Sequence, residues 1–170
     1  MIILETIYGT GRGKTTNAIG RIFSAYMKKK KIFVIQFLKS GKKCGECSFF
    51  NAFIENKWFS IGEEGVFYDF RKENKELKLF IKRELAKIIE TLRLESIDVL
   101  LLDELGIVLF YNLIDWEMVV PIFEYVKEKV IITGRKIPIW LLEKSVKSLD
   151  IREIKHPYAM GIKARRGIDF

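Results

Sequence analysis

Histidine occurs once in this 170-residue chain, cysteine twice and proline three times. One histidine, His156, and one Cys-x-x-Cys pair, Cys44 and Cys47, are too few ligands to close a structural zinc site within a single chain. Two cysteines also exclude a disulfide scaffold, and so few prolines exclude a proline-rich linker protein. No uninterrupted apolar run reaches the ~18 residues that a membrane span needs. The N-terminus, Met1-Ile2-Ile3-Leu4-Glu5, has neither a basic region before its apolar stretch nor a small-residue cleavage site, so it does not read as a signal peptide. No repeat or low-complexity block interrupts the chain. The expectation is a cytoplasmic protein of one domain, residues 1–170, with two ordinary loop cysteines and with His156 packed beside Pro157.

Apolar residues are plentiful instead, at 49% of the chain, enough to close a core at this length. Lys plus Arg is 30 and Asp plus Glu is 22, a net charge of +8. Such a balance suits phosphate partners. The one dense basic run, Lys28 to Lys31, closes a helical pattern, where cations also suit the negative end of the helix dipole. Elsewhere lysines alternate with glutamates, as in Lys72-Glu73-Asn74-Lys75-Glu76, which is the pattern of a solvated helix face. The charge therefore reads as a solvated surface that would also favour a triphosphate ligand, not as a nucleic-acid groove.

Periodicity gives an alternation of strands and helices. Met1 to Ile7 reads as a strand, followed by a glycine-rich turn and a helix with Ala18, Ile19, Ile22, Phe23, Tyr26 and Met27 at helical spacing. Lys31 to Leu38 is a continuous β-branched and aromatic run, the mark of a strand covered on both faces. Ser48 to Glu55 suggests a short helix and Trp58 to Ile61 a short strand. Asn74 to Leu94 is a long amphipathic helix with Leu77, Ile81, Leu85, Ile88 and Leu92 on one stripe. Ile97 to Leu102 reads as a central strand, Trp116 to Lys127 as a helix disturbed by Pro121, and Val130 to Thr133 as another buried strand. Pro138 to Val146 is a helix opened by proline and Asp150 to Ile154 a last strand. The implied class is α/β, with a mostly parallel sheet, helices on both faces and ligands at the carboxyl ends of the strands.

The sharpest motif is Gly9-Thr10-Gly11-Arg12-Gly13-Lys14-Thr15-Thr16, set between a strand and a helix. Glycines let backbone amides turn inward around an anion, and the helix start adds positive dipole. Lys14 would reach phosphate oxygens and the Thr15 hydroxyl would ligate magnesium. Tyr8 stands where the strict pattern has its first glycine. The second motif is Asp98-Val99-Leu100-Leu101-Leu102-Asp103-Glu104, a hydrophobic strand delivering two carboxylates at its end, hard oxygen donors for an ion shared with phosphates. Arg135, after a strand in Thr133-Gly134-Arg135, is a further cation able to reach the same phosphates.

In this order the motifs resemble the P-loop ATP:corrinoid adenosyltransferases of cobalamin biosynthesis. That family's loop runs Gly-Asn-Gly-Lys-Gly-Lys-Thr-Thr, which Gly9 to Thr16 matches apart from Thr10 and Arg12. Gln36-Phe37-Leu38-Lys39, Gly45-Glu46, Leu102-Asp103-Glu104-Leu105, Ile132-Thr133-Gly134-Arg135, Lys155-His156-Pro157 and the tail Gly161 to Phe170 are similar to further family segments. The resemblance implies a RecA-like P-loop fold, and transfer of the 5′-deoxyadenosyl group of ATP to cobalt(I) of cobalamin or another corrinoid, releasing triphosphate. It implies Lys14 and Glu104 as catalytic residues, and Thr15 and Glu104 around Mg2+, with Mn2+ as an alternative. Gly9, Thr10, Gly11, Arg12, Gly13, Lys14, Thr15, Thr16 and Arg135 would hold ATP, and Asp103 would support the metal.

It further implies a homodimer and an electron-donating reductase or flavodoxin as partner, with no nucleic acid and no membrane. Phe67 and Tyr68 would form an aromatic wall against the corrinoid, although the family's Phe and Trp in this stretch become Val66 and Tyr68 here. The family commonly has an N-terminal extension before the first strand, whereas here Met1 is expected to open that strand. Two rival readings use the same loop and carboxylates: a RecA-like ATPase acting on nucleic acid, with Glu104 activating water, and a small-molecule kinase.

Overall fold

Among the described residues six strands form one sheet in which every neighbouring pair is parallel: β1 (Ile3–Tyr8), β2 (Ile32–Phe37), β3 (Trp58–Ile61), β4 (Ile97–Asp103), β5 (Val126–Gly134) and β6 (Lys147–Asp150). The structure is a computed structural model that describes residues 1–41, 45–54, 57–63, 68–70 and 74–155. The strand order is β3-β2-β4-β5-β1-β6. Parallel strands need crossovers, and the helices supply them: α1 (Lys14–Met27), α2 (Gly45–Phe53), α3 (Lys75–Leu92), α4 (Leu105–Phe110) and α5 (Ile139–Lys144).

Alternation along the central strands divides the core into two layers. In β2 Phe33, Ile35 and Phe37 face one side and Ile32 and Val34 the other; in β4 Leu100 and Leu102 oppose Val99 and Leu101. The first side is covered by α3, α4 and α5, through Leu77, Ile81, Leu85, Val108 and Leu141 among others. The second is covered by Ala18 and Ile22 of α1 and by Phe50 of α2. Helices therefore pack on both faces, as expected. Asn74 starts α3 by accepting a hydrogen bond from the Leu77 amide at 2.8 Å, and the five stripe residues of that helix are all buried. Burial of each is worth about 1.5–3 kcal/mol before entropy is counted.

Four expectations need correction. Trp116 to Lys127 is not an α-helix but two 3-10 turns, Trp116–Met118 and Val120–Tyr125. Pro121 has no amide to give, and the short i to i−3 bonds from Val119 to Trp116 and from Ile122 to Val119 carry the chain past it. Consequently β5 starts at Val126, four residues before the expected Val130. The last strand is Lys147–Asp150 rather than Asp150 to Ile154: the Ile151 amide still donates to Tyr8 of β1, but its carbonyl accepts from Gly11 of the glycine-rich loop, where strand pairing ends. Cys47 is not in a loop: α2 starts at Gly45, so Cys47 falls in its first turn, where it is buried and is not a free thiol. Cys44 and His156 lie outside the described residues, and α4 has no counterpart among the expected elements.

Candidate active site

The carboxyl ends of β1, β4 and β5 meet at one edge of the sheet, with β5 lying between the other two. From β1 the chain enters the glycine-rich loop. Gly9 at φ +112° and Gly13 at φ +96° take left-handed backbone that a side chain disfavours. Tyr8 still belongs to β1, paired with Gly134 and Asp150, so the loop simply begins one residue later than in the strict motif. The segment after β6 braces the loop from behind. The Gly11 amide donates to Ile151 O at 2.8 Å and the Ile151 amide to Tyr8 O at 2.7 Å. A Cβ on Gly11 would lie 2.9 Å from the Ile151 carbonyl oxygen, so glycine is required there by packing.

Gly13 precedes the first turn of α1, whose Asn17 amide donates to Gly13 O at 2.8 Å. Lys14 Nζ donates to Gly11 O at 2.7 Å, folding the ammonium over its own loop. Burial lowers the Lys14 pKa, partly offset by the Glu104 charge. Thr10, Arg12 and Thr16 are exposed.

Asp103, at the end of β4, is fully buried and collects four hydrogen bonds. Its Oδ1 accepts from Thr15 Oγ1 at 3.0 Å and Thr133 Oγ1 at 2.6 Å. Its Oδ2 accepts from Gln36 Nε2 at 3.0 Å and Lys39 Nζ at 2.9 Å. Burial alone would raise its pKa, but the Lys39 charge and the donors around it hold the carboxyl below its ordinary value. Asp103 is therefore a fixed carboxylate that orients its neighbours.

Glu104 is different. It has left-handed backbone at φ +60°, a costly conformation for a residue with a side chain. Its pKa is raised, first by burial and then by Asp103 beside it. The backbone of Arg135 hydrogen-bonds the carboxylate, yet Oε2 is buried with no partner. An orphaned carboxylate oxygen beside a glycine-rich loop at a helix start is the donor a hard cation would complete.

Lys14, Lys39, Glu104, Arg135 and Lys136 open into a cavity of about 600 Å³ with Phe37, Tyr68, Phe70 and Tyr111 on its walls. Phe70 stacks between two tyrosines, 4.9 Å from Tyr111 and 6.4 Å from Tyr68 by ring centroids. Lys136 Nζ lies 5.4 Å from the Tyr111 ring centroid and 3.3 Å from its hydroxyl, placing a cation against the aromatic surface.

The expected Lys14, Glu104, Arg135 and Tyr68 thus line one cavity, and Thr15 is bonded to Asp103 beside Glu104; the exposed Arg135 also contributes its backbone to Glu104. Phe67 lies outside the described residues. Gln36, Lys39, Thr133 and Tyr111 are additional members of the site. Gln36, Lys39 and Thr133 stand within segments that matched the resemblance, but a polar residue at a strand end shows its partner only after the strand order is known.

Comparison with known proteins identifies the family of the chain. The family model described as ATP:corrinoid adenosyltransferase BtuR/CobO/CobP matches residues 2–170. A corrinoid adenosyltransferase of Sinorhizobium sp. is 31% identical over 179 residues, covering 100% of this chain and 80% of that protein. One from Escherichia coli K12 is 31% identical over 171 residues, covering 99% and 85%. Another, from Pseudomonas aeruginosa, is 28% identical over 166 residues, covering 95% and 80%. With a P-loop, a carboxylate pair and a parallel α/β sheet in the places described, the chain belongs to the ATP:corrinoid adenosyltransferase family.

Proposed function

We propose that the cavity at the ends of β1, β4 and β5 is where this adenosyltransferase brings ATP and a corrinoid together. As a member of its family the protein transfers the adenosyl group of ATP to cob(I)alamin. The observation that carries the site assignment is the buried, unpartnered Oε2 of Glu104, a residue that lines the same cavity as Lys14. Backbone amides of the Gly9 to Thr16 loop, the start of α1 and Lys14 would take the triphosphate.

The residues present fit magnesium. Thr15 gives its hydroxyl proton to Asp103, which leaves its lone pairs for a cation, and Glu104 Oε2 is the matching carboxylate donor. Among the described residues no group of three or more His, Cys, Asp or Glu gathers, so phosphate oxygens and water would complete the shell. Bound there, the ion would neutralise charge gathering on the departing triphosphate. Manganese has the same taste for oxygen donors and is the alternative.

Cobalt(I) is itself a strong nucleophile, so the chain has no need of a serine, cysteine or histidine nucleophile. Its task is to hold C5′ in line with the cobalt and to stabilise the leaving triphosphate by fixed charges, Lys14 above all. The wall of Tyr68, Phe70 and Tyr111 would exclude water and the lower axial base from the corrinoid. A homodimer, an electron-donating reductase or flavodoxin, and a cytoplasmic location belong to the same proposal and rest on family likeness; among the described residues no helix is long and apolar enough to cross a membrane.

Equilibrium ATP binding with and without magnesium tests the assignment. Glu104→Gln keeps the shape and removes the charge, so the gain in ATP affinity on adding magnesium should shrink about tenfold while metal-free binding stays unchanged. An unaltered magnesium effect in that variant would remove Glu104 from the metal site.

A further inference from the structure

Glu104 keeps an unfavourable left-handed backbone with no glycine to ease it. Something must hold it. The Glu104 amide donates to Thr133 Oγ1 at 2.9 Å, and the same hydroxyl donates to Asp103 Oδ1 at 2.6 Å. Thr133 and Asp103 are both wholly buried, so water does not compete for these bonds. We infer that Thr133 is a positioning residue for the ATP site, its hydroxyl relaying between the Asp103 carboxylate and the Glu104 amide so that the Glu104 carboxylate is turned into the cavity.

The topology explains why this residue is available. β5 lies between β4 and β1, so the residue at its end stands between the carboxylates and the phosphate loop. One oxygen must accept from an amide and donate to a carboxylate at once, and only a hydroxyl does both from a single atom. Threonine also has the branched shape that suits a buried strand.

The backbone around the relay is interlocked. A Cβ on Gly134 would stand 2.9 Å from Gly106 Cα and 3.0 Å from the Ile107 amide nitrogen; a Cβ on Gly106 would stand 2.7 Å from Lys136 O. The turn carrying Glu104 and the turn carrying Arg135 and Lys136 therefore move as one body, with Thr133 as their polar pin. Displacing the pin would shift Glu104 relative to Lys14 without touching either side chain.

The consequence for metal and nucleotide rests on the reading of Glu104 as a metal donor, whereas the relay itself does not, and the test separates them. Thr133→Val keeps the shape and removes the hydroxyl; Thr133→Ser keeps the hydroxyl and removes the methyl. Amide hydrogen exchange at Glu104 in the nucleotide-free protein reads the relay directly. Exchange should quicken at least about tenfold in Thr133→Val and stay near wild type in Thr133→Ser. Manganese binding in the presence of ATP, followed by electron paramagnetic resonance, reads the consequence. It should weaken about tenfold or more in Thr133→Val and recover in Thr133→Ser.

Unchanged Glu104 exchange in Thr133→Val overturns the inference, as does a Thr133→Ser protein that exchanges as fast as Thr133→Val. Altered exchange with manganese binding untouched by both Thr133→Val and Glu104→Gln upholds the relay and overturns the metal reading.

Discussion

The Thr15 hydroxyl donates to Asp103 Oδ1 across 3.0 Å, tying the first turn of α1 to the end of β4, 88 residues away in the chain. Thr15 follows β1 and Asp103 ends β4, two strands that β5 separates. The bond makes the glycine-rich loop and the carboxylates one assembly, and it fixes the direction of the threonine proton.

Lys14→Ala should abolish useful ATP affinity, a loss of about 2–3 kcal/mol of charge-assisted contact to phosphate, with the fold intact. Lys14 is only half-buried and pairs with a loop carbonyl, so little else depends on it. Calorimetric ATP titration and circular dichroism of the variant check both halves. Unchanged affinity would remove the loop from the ATP site.

Lys39→Met should destabilise the protein by about 2–3 kcal/mol, less than a fully buried pair because Lys39 keeps a quarter of its side chain exposed. Burial alone would depress the Lys39 pKa, but Asp103 and Glu46 outweigh it and hold the ammonium charged. Adding Asp103→Asn removes the stranded charge, so the double variant should recover part of the lost stability in urea unfolding. A double variant as weak as the sum of the singles would mean that the two residues do not interact.

Glu5 carries the clearest pH signature. It is buried in β1, and although burial pushes its pKa up, the hydrogen bond and charge of Lys129 and the charge of Arg21 bring it below the ordinary value. A carboxyl lowered in the folded state adds stability that is complete above its unfolded pKa of about 4.3 and is lost as pH falls through the folded value. Thermal unfolding between pH 6 and 3 should therefore show a steeper loss in wild type than in Glu5→Gln. Parallel curves would contradict the pairing.

Tyr68→Ala should separate two assays. Adenosylation of chemically prereduced cobalt(I) should stay near wild type, while activity starting from cobalt(II) with a mild reductant should be lost, because removal of the lower axial ligand is what raises the potential. Phe70 touches Tyr68 on one side and Tyr111 on the other, so Phe70→Ala should show the same split more weakly. Equal losses in both assays would assign these rings to folding or ATP placement.

Much of this was legible in the residues themselves. A β-branched and aromatic run marked β2, an apolar run marked β4, the apolar stripe marked α3, and Gly9 to Thr16 marked the glycine-rich turn between β1 and α1, because each signal is local. α4 was illegible because its six residues, Leu105–Phe110, continue the apolar run of β4 with only Asp103 and Glu104 between them. The interruption of the expected helix at Trp116–Tyr125 followed from Pro121, but its replacement by two 3-10 turns depended on packing of Val119 and Ile122 against the sheet. Thr133 and Lys39 gained meaning only when the order β2-β4-β5-β1 placed both beside Asp103, a relation between strand ends that no spacing along the chain records.

The most direct measurement is phosphorus NMR of the wild-type protein incubated with ATP, magnesium and chemically reduced cob(I)alamin. Attack at C5′ with Lys14 and Glu104 holding the leaving group predicts inorganic triphosphate rising in step with adenosylated corrinoid, and neither product from Lys14→Ala. ADP formed without adenosylated corrinoid would contradict the account and place the same loop and carboxylates in an ATPase or a kinase.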